Sequence, residues 1–291
     1  MNSRPVFGLL QNKDRASILL ALSLLTTTLL SCTESKTKNI PAPIPTVPAL
    51  NEEARDYSQY TTLAWSDEFD AGPLDQNKWA YELGGGGWGN NELQSYTNST
   101  DNVNVTGGNL IIQAQQAGNA YTSGRLVTKG KQSFQYGRID VRAKVPKGKG
   151  VWPAIWMLGS DIDQNNWPRC GEIDIMELRG SRPKELLSTM HFGNSPAEHV
   201  YKGTTQVLAN DLSNDFHVFS VVRSKDLLRF FLDGQQYYTF TSSDASPYPF
   251  NNPFFVVLNL AIGGNFDGNP DATTVLPQQM QVDYVRYYQY K

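Results

Sequence analysis

Cysteine is nearly absent. Cys32 and Cys170 are the two in 291 residues, and if the first is consumed by lipidation the second has no partner, so the fold must stand without a disulfide. A net charge of −3, with both signs mixed along the chain, offers no basic surface for nucleic acid. Beyond the first thirty or so residues, no window repeats apolar residues at three and four positions, which excludes a helical bundle. There is no internal repeat. Aromatic residues, by contrast, are plentiful. Six Trp, 14 Tyr and 13 Phe suit either a well-packed sandwich or a cleft that binds sugars by stacking.

The N-terminus reads as an export signal. Arg4, Lys13 and Arg15 precede the apolar run "ASILLALSLLTTTLL", which is long enough for a signal peptide and too short for a comfortable membrane span. It ends at "LLSC", which resembles a lipoprotein cleavage box after which Cys32 would become the lipidated N-terminus; an ordinary secretory signal with an incidental Cys is the alternative. Residues 32–56 carry Pro41, Pro43, Pro45 and Pro48 among small and charged residues. Such a stretch cannot bury enough surface to fold and reads as a tether. The domains expected are therefore a signal peptide at 1–31, the tether at 32–56 and one folded domain at 57–291. Thr33 after Cys32 gives no reason for inner-membrane retention, so the outer membrane or cell surface is the expected address.

The folded part is a series of short β-rich runs broken by Gly, Pro and Asn. "NLIIQAQ" (109–115) is one. "YGRIDVRAKV" (136–145) alternates, with Ile139, Val141, Ala143 and Val145 on one face and Arg138, Asp140, Arg142 and Lys144 on the other. "FHVFSVV" (216–222) follows, then "LLRFFLDGQQYYTF" (227–240), in which Asp233-Gly234 supplies a tight hairpin turn. "PFFVVLNLAIGG" (253–264) reads as a strand buried on both faces and "MQVDYVRYYQY" (280–290) as a closing strand. The class is all-β, an antiparallel sandwich of two sheets.

The stretch "CGEIDIMELRG" (170–180) breaks its own alternation. On a regular strand Glu172 and Asp174 share one face, while Glu177 falls among the isoleucines on the other. One extra residue, a β-bulge at Ile175-Met176, would return Glu177 to the first face and leave Leu178 toward the core with Ile173. Three acids on one face suit a retaining glycosidase, which needs two carboxyls about 5–5.5 Å apart. On spacing alone they suit equally well ion pairing with Arg138, Arg142, Arg169 or Arg179, or a hard cation such as calcium. Trp152 and Trp156, an even number apart just upstream, share one strand face and so point toward a cleft.

Over residues from about 61 to 291, the runs "WSDEFD", "GGGGWGNNELQSYT", "SGRLVTKGKQSFQYGRIDVRAKVPKGKGVWPAIWMLG", "WPRCGEIDIME", "TMHFG", "FFLDGQ" and "MQVDYVRYYQ" resemble, in order, the laminarinase-like branch of glycoside hydrolase family sixteen. The resemblance implies a jelly-roll β-sandwich with a concave glycan-binding cleft and retaining hydrolysis. Glu172 resembles the nucleophile, Glu177 the general acid/base and Asp174 the assisting acid between them. It suggests that Asn90, Arg138, Trp152, Trp156, Trp167 and His191 line subsites. It also raises a structural calcium ion at Asp283, with Glu68 and Gly108 as further ligands; catalysis itself needs no cofactor. Two departures stand out. "HFGNSPAEH" has no aromatic after Phe192 until Tyr201, and Arg223 ends a strand where such members commonly carry Trp. Cys170 has no role in two-carboxylate chemistry and reads as a packing residue.

The resulting expectation is an endo-β-1,3-glucanase acting on laminarin-like glucan, with Glu177 held protonated and Glu172 ionised. A galactan such as agarose, porphyran or a carrageenan is the alternative substrate. A non-catalytic glycan-binding lipoprotein is the alternative from another class. The partners are thus a polysaccharide and, through the lipid, a membrane; the residues do not address the oligomeric state.

Overall fold

The computed structural model describes residues 55–70 and 72–290. The expected signal peptide, Cys32 and all but the last two residues of the expected tether lie outside the described residues. In chain order the strands are β1 (Tyr60–Asp67), β2 (Ala80–Tyr81), β3 (Gln94–Tyr96), β4 (Val103–Thr106), β5 (Asn109–Ala117) and β6 (Ala120–Ser123). They continue with β7 (Arg125–Val127), β8 (Gly137–Lys144), β9 (Val151–Gly159), β10 (Glu172–Glu177), β11 (Glu185–Phe192) and β12 (Val200–Val207). The last are β13 (His217–Ser224), β14 (Leu227–Leu232), β15 (Gln235–Thr241), β16 (Phe254–Ile262) and β17 (Gln278–Tyr290).

Two sheets stack as a jelly-roll sandwich. One has seven strands in the order β12-β11-β10-β9-β16-β7-β2; the other has ten, running β15-β14-β13-β8-β17-β5-β6-β3, with β1 on β17 and β4 on β5. As expected, the sheets are antiparallel, with one short exception, β3 with β6, which is parallel. Asp233 and Gly234, at φ 50° and 77°, make the expected turn between β14 and β15. Positive φ at two successive turn positions matches the right-handed twist of the strands it joins.

Alternation explains the core. Ile139, Val141 and Ala143 of β8 face Ile155 and Met157 of β9, Ile173 of β10 and Val256, Leu258 and Leu260 of β16 in one buried cluster. The other face of β16 is apolar too, because Phe255 and Val257 join Val127, Leu158 and Cys170 in a second cluster on the far side of the seven-stranded sheet. That is why its sequence is an unbroken apolar run. The polar face of β8 is less open than its charges suggest. Asp140 is 4% exposed, because Tyr57 lies over it and donates its hydroxyl at 3.1 Å, while Arg138 pairs with it at 3.1 Å.

Candidate active site

The carboxylate strand β10 lies inside the seven-stranded sheet between β9 and β11, and the register shows what its irregularity does. Glu172 stands opposite Leu158 and His191, and Asp174 opposite Trp156 and Thr189. Then the pairing slips: Glu177, three residues on from Asp174, faces Leu187, two positions on from Thr189. Against β9 the slip falls between Asp174 and Met176. This is the expected bulge. Ile173, Ile175, Met176 and Leu178 are all fully buried in the core, so both bulged side chains turn inward and the three acids share the opposite face.

Cross-strand partners on an antiparallel sheet point the same way, so each acid belongs to a row. The row of Glu172 runs Tyr201, His191, Glu172, Leu158, Phe255. That of Asp174 runs Thr189, Asp174, Trp156, Val257, and that of Glu177 runs Leu187, Glu177, Ala154, Asn259, Arg125. Trp152 lies two residues beyond Ala154 on β9, on the same face.

Each outer acid accepts one indole N–H. Trp152 Nε1 donates to Glu177 Oε1 at 3.0 Å, and Trp167 Nε1 donates to Glu172 Oε2 at 2.9 Å. Trp152 is further fixed by stacking on Phe266 at 4.7 Å. Trp156 donates to Asn259 Oδ1 at 2.7 Å, Asn259 donates to the Tyr96 hydroxyl at 3.0 Å, and that hydroxyl donates to buried Glu92 at 3.2 Å. Asn90 adds its side-chain amide to Glu92 at 3.3 Å. Asn90 O and the Trp152 ring both close on Gly264, where a Cβ would meet them at 2.9 and 3.5 Å. Only glycine, here at φ +86°, lets the "GWGNNE" loop approach so near.

The acids cannot all ionise together, because like charges and low dielectric both favour the neutral form. Burial, and then the Asp174 charge, push Glu172 up to about 7, against His191, the Trp167 N–H and Arg125. Burial raises Asp174 to about 8, opposed by its hydrogen bond with Glu172. Glu177 is raised well above the carboxylate range by burial first and Asp174 second. Burial and the Asp174 charge thus work against the ionised Glu172 expected from the sequence, and His191 and the Trp167 N–H work for it. Nearby Cys170 is fully buried and its thiol is pushed up to about 12, chiefly by burial, in keeping with a packing role.

Asn90, Trp152, Trp156, Trp167 and His191 thus gather around the acids. Arg138 does not. It sits on the outer face of the ten-stranded sheet, donating to Tyr57 O at 2.9 Å between the rings of Tyr57 and Tyr288, and the expectation that it lines a subsite is corrected. The acids offered for calcium are each occupied by a guanidinium: Glu68 by Arg286 at 2.7 Å and Asp283 by Arg142 at 2.6 Å. Gly108 lies in the β4–β5 turn. A calcium ion there would compete with these two guanidinium groups for the Glu68 and Asp283 carboxyls.

Sequence reasoning missed Arg125, whose guanidinium lies between the rings of Trp88 and Trp156 at 4.6 and 4.8 Å. It also missed His199, whose Nε2 lies 2.8 Å from His191 Nδ1 and whose ring lies 4.5 Å from that of Trp167. Alternation in "NNELQSY", which puts Glu92, Gln94 and Tyr96 on one face, was a usable signal for the network behind Trp156. Nothing in the sequence brings residues 191 and 199 together.

Three acids on a tryptophan-lined sheet face define a class, the carbohydrate-active β-sandwich proteins. The chain belongs to glycosyl hydrolases family 16, which matches residues 90–286. It is 40% identical over 262 residues to a β-glucanase of Rhodothermus marinus, covering 83% of this chain and 90% of that protein. It is 43% identical over 262 residues to glucan endo-1,3-beta-glucosidase A1 of Niallia circulans, covering 78% of this chain but 37% of that longer protein. The solved endo-beta-1,3-glucanase of Pyrococcus furiosus superposes with a TM-score of 0.73 at 40% identity, over 79% of this chain and 94% of that one.

Proposed function

We propose that this protein hydrolyses β-1,3-glucan at internal bonds with retention of anomeric configuration. The observation that carries the reading is the one-residue bulge in β10, which sets Glu177 on the face of Glu172 and Asp174. The names of its relatives, glucan endo-1,3-beta-glucosidase and β-glucanase, support the substrate. In this reading a Glu172 oxygen attacks the anomeric carbon while Glu177 gives its proton to the leaving oxygen. Water then enters, Glu177 takes a proton from it, and the bond between Glu172 and the sugar breaks. The two N–H donors fit these roles, each holding one carboxyl in place. Burial and the Asp174 charge raise the Glu177 pKa and so favour the protonated form that the acid needs.

A galactan is the second reading, supported by 33% identity to a keratan-sulfate endo-1,4-beta-galactosidase. Sulfated galactans call for uncompensated cations in the cleft. Arg125 is already paired with Glu82 at 2.5 Å, which favours a neutral glucan. A purely glycan-binding role has no use for the complete acid trio. Reducing-sugar release from laminarin, curdlan, lichenan, agarose and keratan sulfate separates the readings. Laminarin is expected to be the best substrate, with products first appearing in the retained configuration by NMR; inverted products would overturn the mechanism.

The anchoring of the domain is also a proposal, supported by the sequence of residues 1–32. Labelled palmitate is expected in the wild-type protein in cells and not in Cys32→Ser. Label retained by the variant would remove Cys32 as the lipidated residue.

A further inference from the structure

Two of the three histidines of the chain meet at the acid trio, and the cluster they complete has the dimensions of a metal site. Among the described residues, Glu172, Asp174 and His191 are the group of acid, His or Cys side chains whose ligand atoms all lie within 4.8 Å of one another. His191 Nε2 is 3.2 Å from Asp174 Oδ2 and 3.8 Å from Glu172 Oε1. Bonds of about 2.0–2.2 Å to tetrahedral zinc place ligand atoms roughly 3.3–3.6 Å apart. The two distances from His191 lie within a few tenths of an ångström of that range, and the Glu172–Asp174 distance is no more than 4.8 Å.

A second observation is independent of the clustering. Asp174 is 3% exposed, yet its Oδ2, the oxygen beside His191, is buried with no hydrogen-bond partner among the described residues. Such an orphan in a polar site calls for an occupant. The surroundings of the trio are also those of a ligand set. Trp167 engages Oε2 of Glu172 and leaves Oε1 toward His191. His199 Nε2 lies 2.8 Å from His191 Nδ1 and can accept its N–H. That tautomer bares the Nε2 lone pair. Metal-bound imidazoles are commonly oriented through their other nitrogen in this way.

We propose that the substrate-free cleft binds one borderline divalent cation of the zinc class on Glu172, Asp174 and His191, with His199 orienting His191, so that metal and glycan exclude each other. One nitrogen and two carboxylate oxygens suit zinc, cobalt(II) or copper(II) better than calcium or magnesium, which prefer oxygen alone. Two carboxylates balance the double charge. An ion there takes the Glu172 oxygen out of play, making trace metal a reversible blocker relieved by chelation.

Binding is measured on the full-length chain, stripped with EDTA and dialysed, by calorimetry with ZnCl2 and by the visible absorption of four-coordinate Co2+. One ion per chain is expected. His191→Ala should weaken binding by about a hundredfold or more, and His199→Phe by roughly 10–100-fold, as for second-layer partners of metal ligands. His217→Ala, which alters the surface pair of His217 with Asp233, should leave it unchanged. Circular dichroism checks each fold, and the nearly isosteric Glu172→Gln replaces His191→Ala if that variant does not fold. Absence of binding, unaltered binding in His191→Ala and Glu172→Gln, or loss of it in His217→Ala would each overturn the proposal. The exclusion half rests on the glycanase reading: a laminarin oligosaccharide should raise the apparent Kd for zinc in Glu177→Gln, which cannot consume it. Metal binding that persists while laminarin is neither bound nor cleaved would refute the glucanase reading and the exclusion, and leave the site.

Discussion

Glu177→Gln is expected to lower activity on laminarin by roughly 10²–10⁴-fold, the usual worth of a general acid, while making the protein more heat-stable above neutral pH. Both effects come from one carboxyl. Glutamine keeps the shape and still accepts the Trp152 N–H, but it has no proton to give the leaving oxygen. A substrate whose leaving group needs no protonation, such as an aryl glycoside, should recover much of the lost rate. Glu172→Gln should not be rescued in this way, because its nucleophile is gone.

The stability effect follows from the raised pKa of Glu177, caused first by burial and then by Asp174, with His191 and the Trp152 N–H opposing. A carboxyl that holds its proton more tightly folded than unfolded contributes stability below its unfolded value. That contribution is lost as pH rises through the folded value. Glutamine never ionises. The difference in Tm between variant and wild type should be near zero around pH 4 and positive at pH 8 to 9. A difference independent of pH would show that Glu177 ionises as readily in the fold as outside it.

Arg223→Met is expected to cost about 2–5 kcal/mol, a fall in Tm on the order of 10 °C for a domain of this size. Arg223 is 1% exposed, and no acid among the described residues forms an ion pair with it. Its guanidinium instead donates to three backbone carbonyls, Phe134 O at 2.7 Å, Phe250 O at 3.0 Å and Asn252 O at 2.6 Å, and lies over the Phe254 ring at 4.6 Å. Burying an unpaired charge is unfavourable, and here burial lowers the arginine pKa to about 10. Replacing a buried ion by an apolar residue is therefore sometimes neutral. The carbonyls decide the sign. Phe134 O also accepts from Phe254 N at 2.9 Å, so the loss falls on Phe250 and Asn252 in the connection leading into β16. Arg223→Lys, with one compact donor head, should recover only part of it. Unchanged unfolding of Arg223→Met by calorimetry would mean that these carbonyls find other donors.

This arginine also shows where the sequence stopped being readable. A charged residue ending the run "FHVFSVVR" looked like a departure from a family habit, with no hint that it tied two loops to the sandwich. Arg138 failed for the related reason that alternation gives the two faces of a strand but does not say which sheet the strand joins. Its row faces away from the acids because β8 pairs with β13 and β17.

Local physics in the sequence sufficed for the rest of the frame. Period-two apolar patterns and the Asp233-Gly234 turn located the strands, and the misplaced Glu177 required a bulge because a carboxylate cannot lie unpaired among isoleucines. Those are constraints between residues a few positions apart, so they can be read from the chain alone. The cross-strand rows that bring His191 to Glu172, the nitrogen contact of His199, the Trp88-Arg125-Trp156 stack and the shared protonation of three acids join segments far apart in sequence. Only the packing of the sheets sets those distances, and a carboxyl's pKa depends on distance and burial rather than on sequence neighbours.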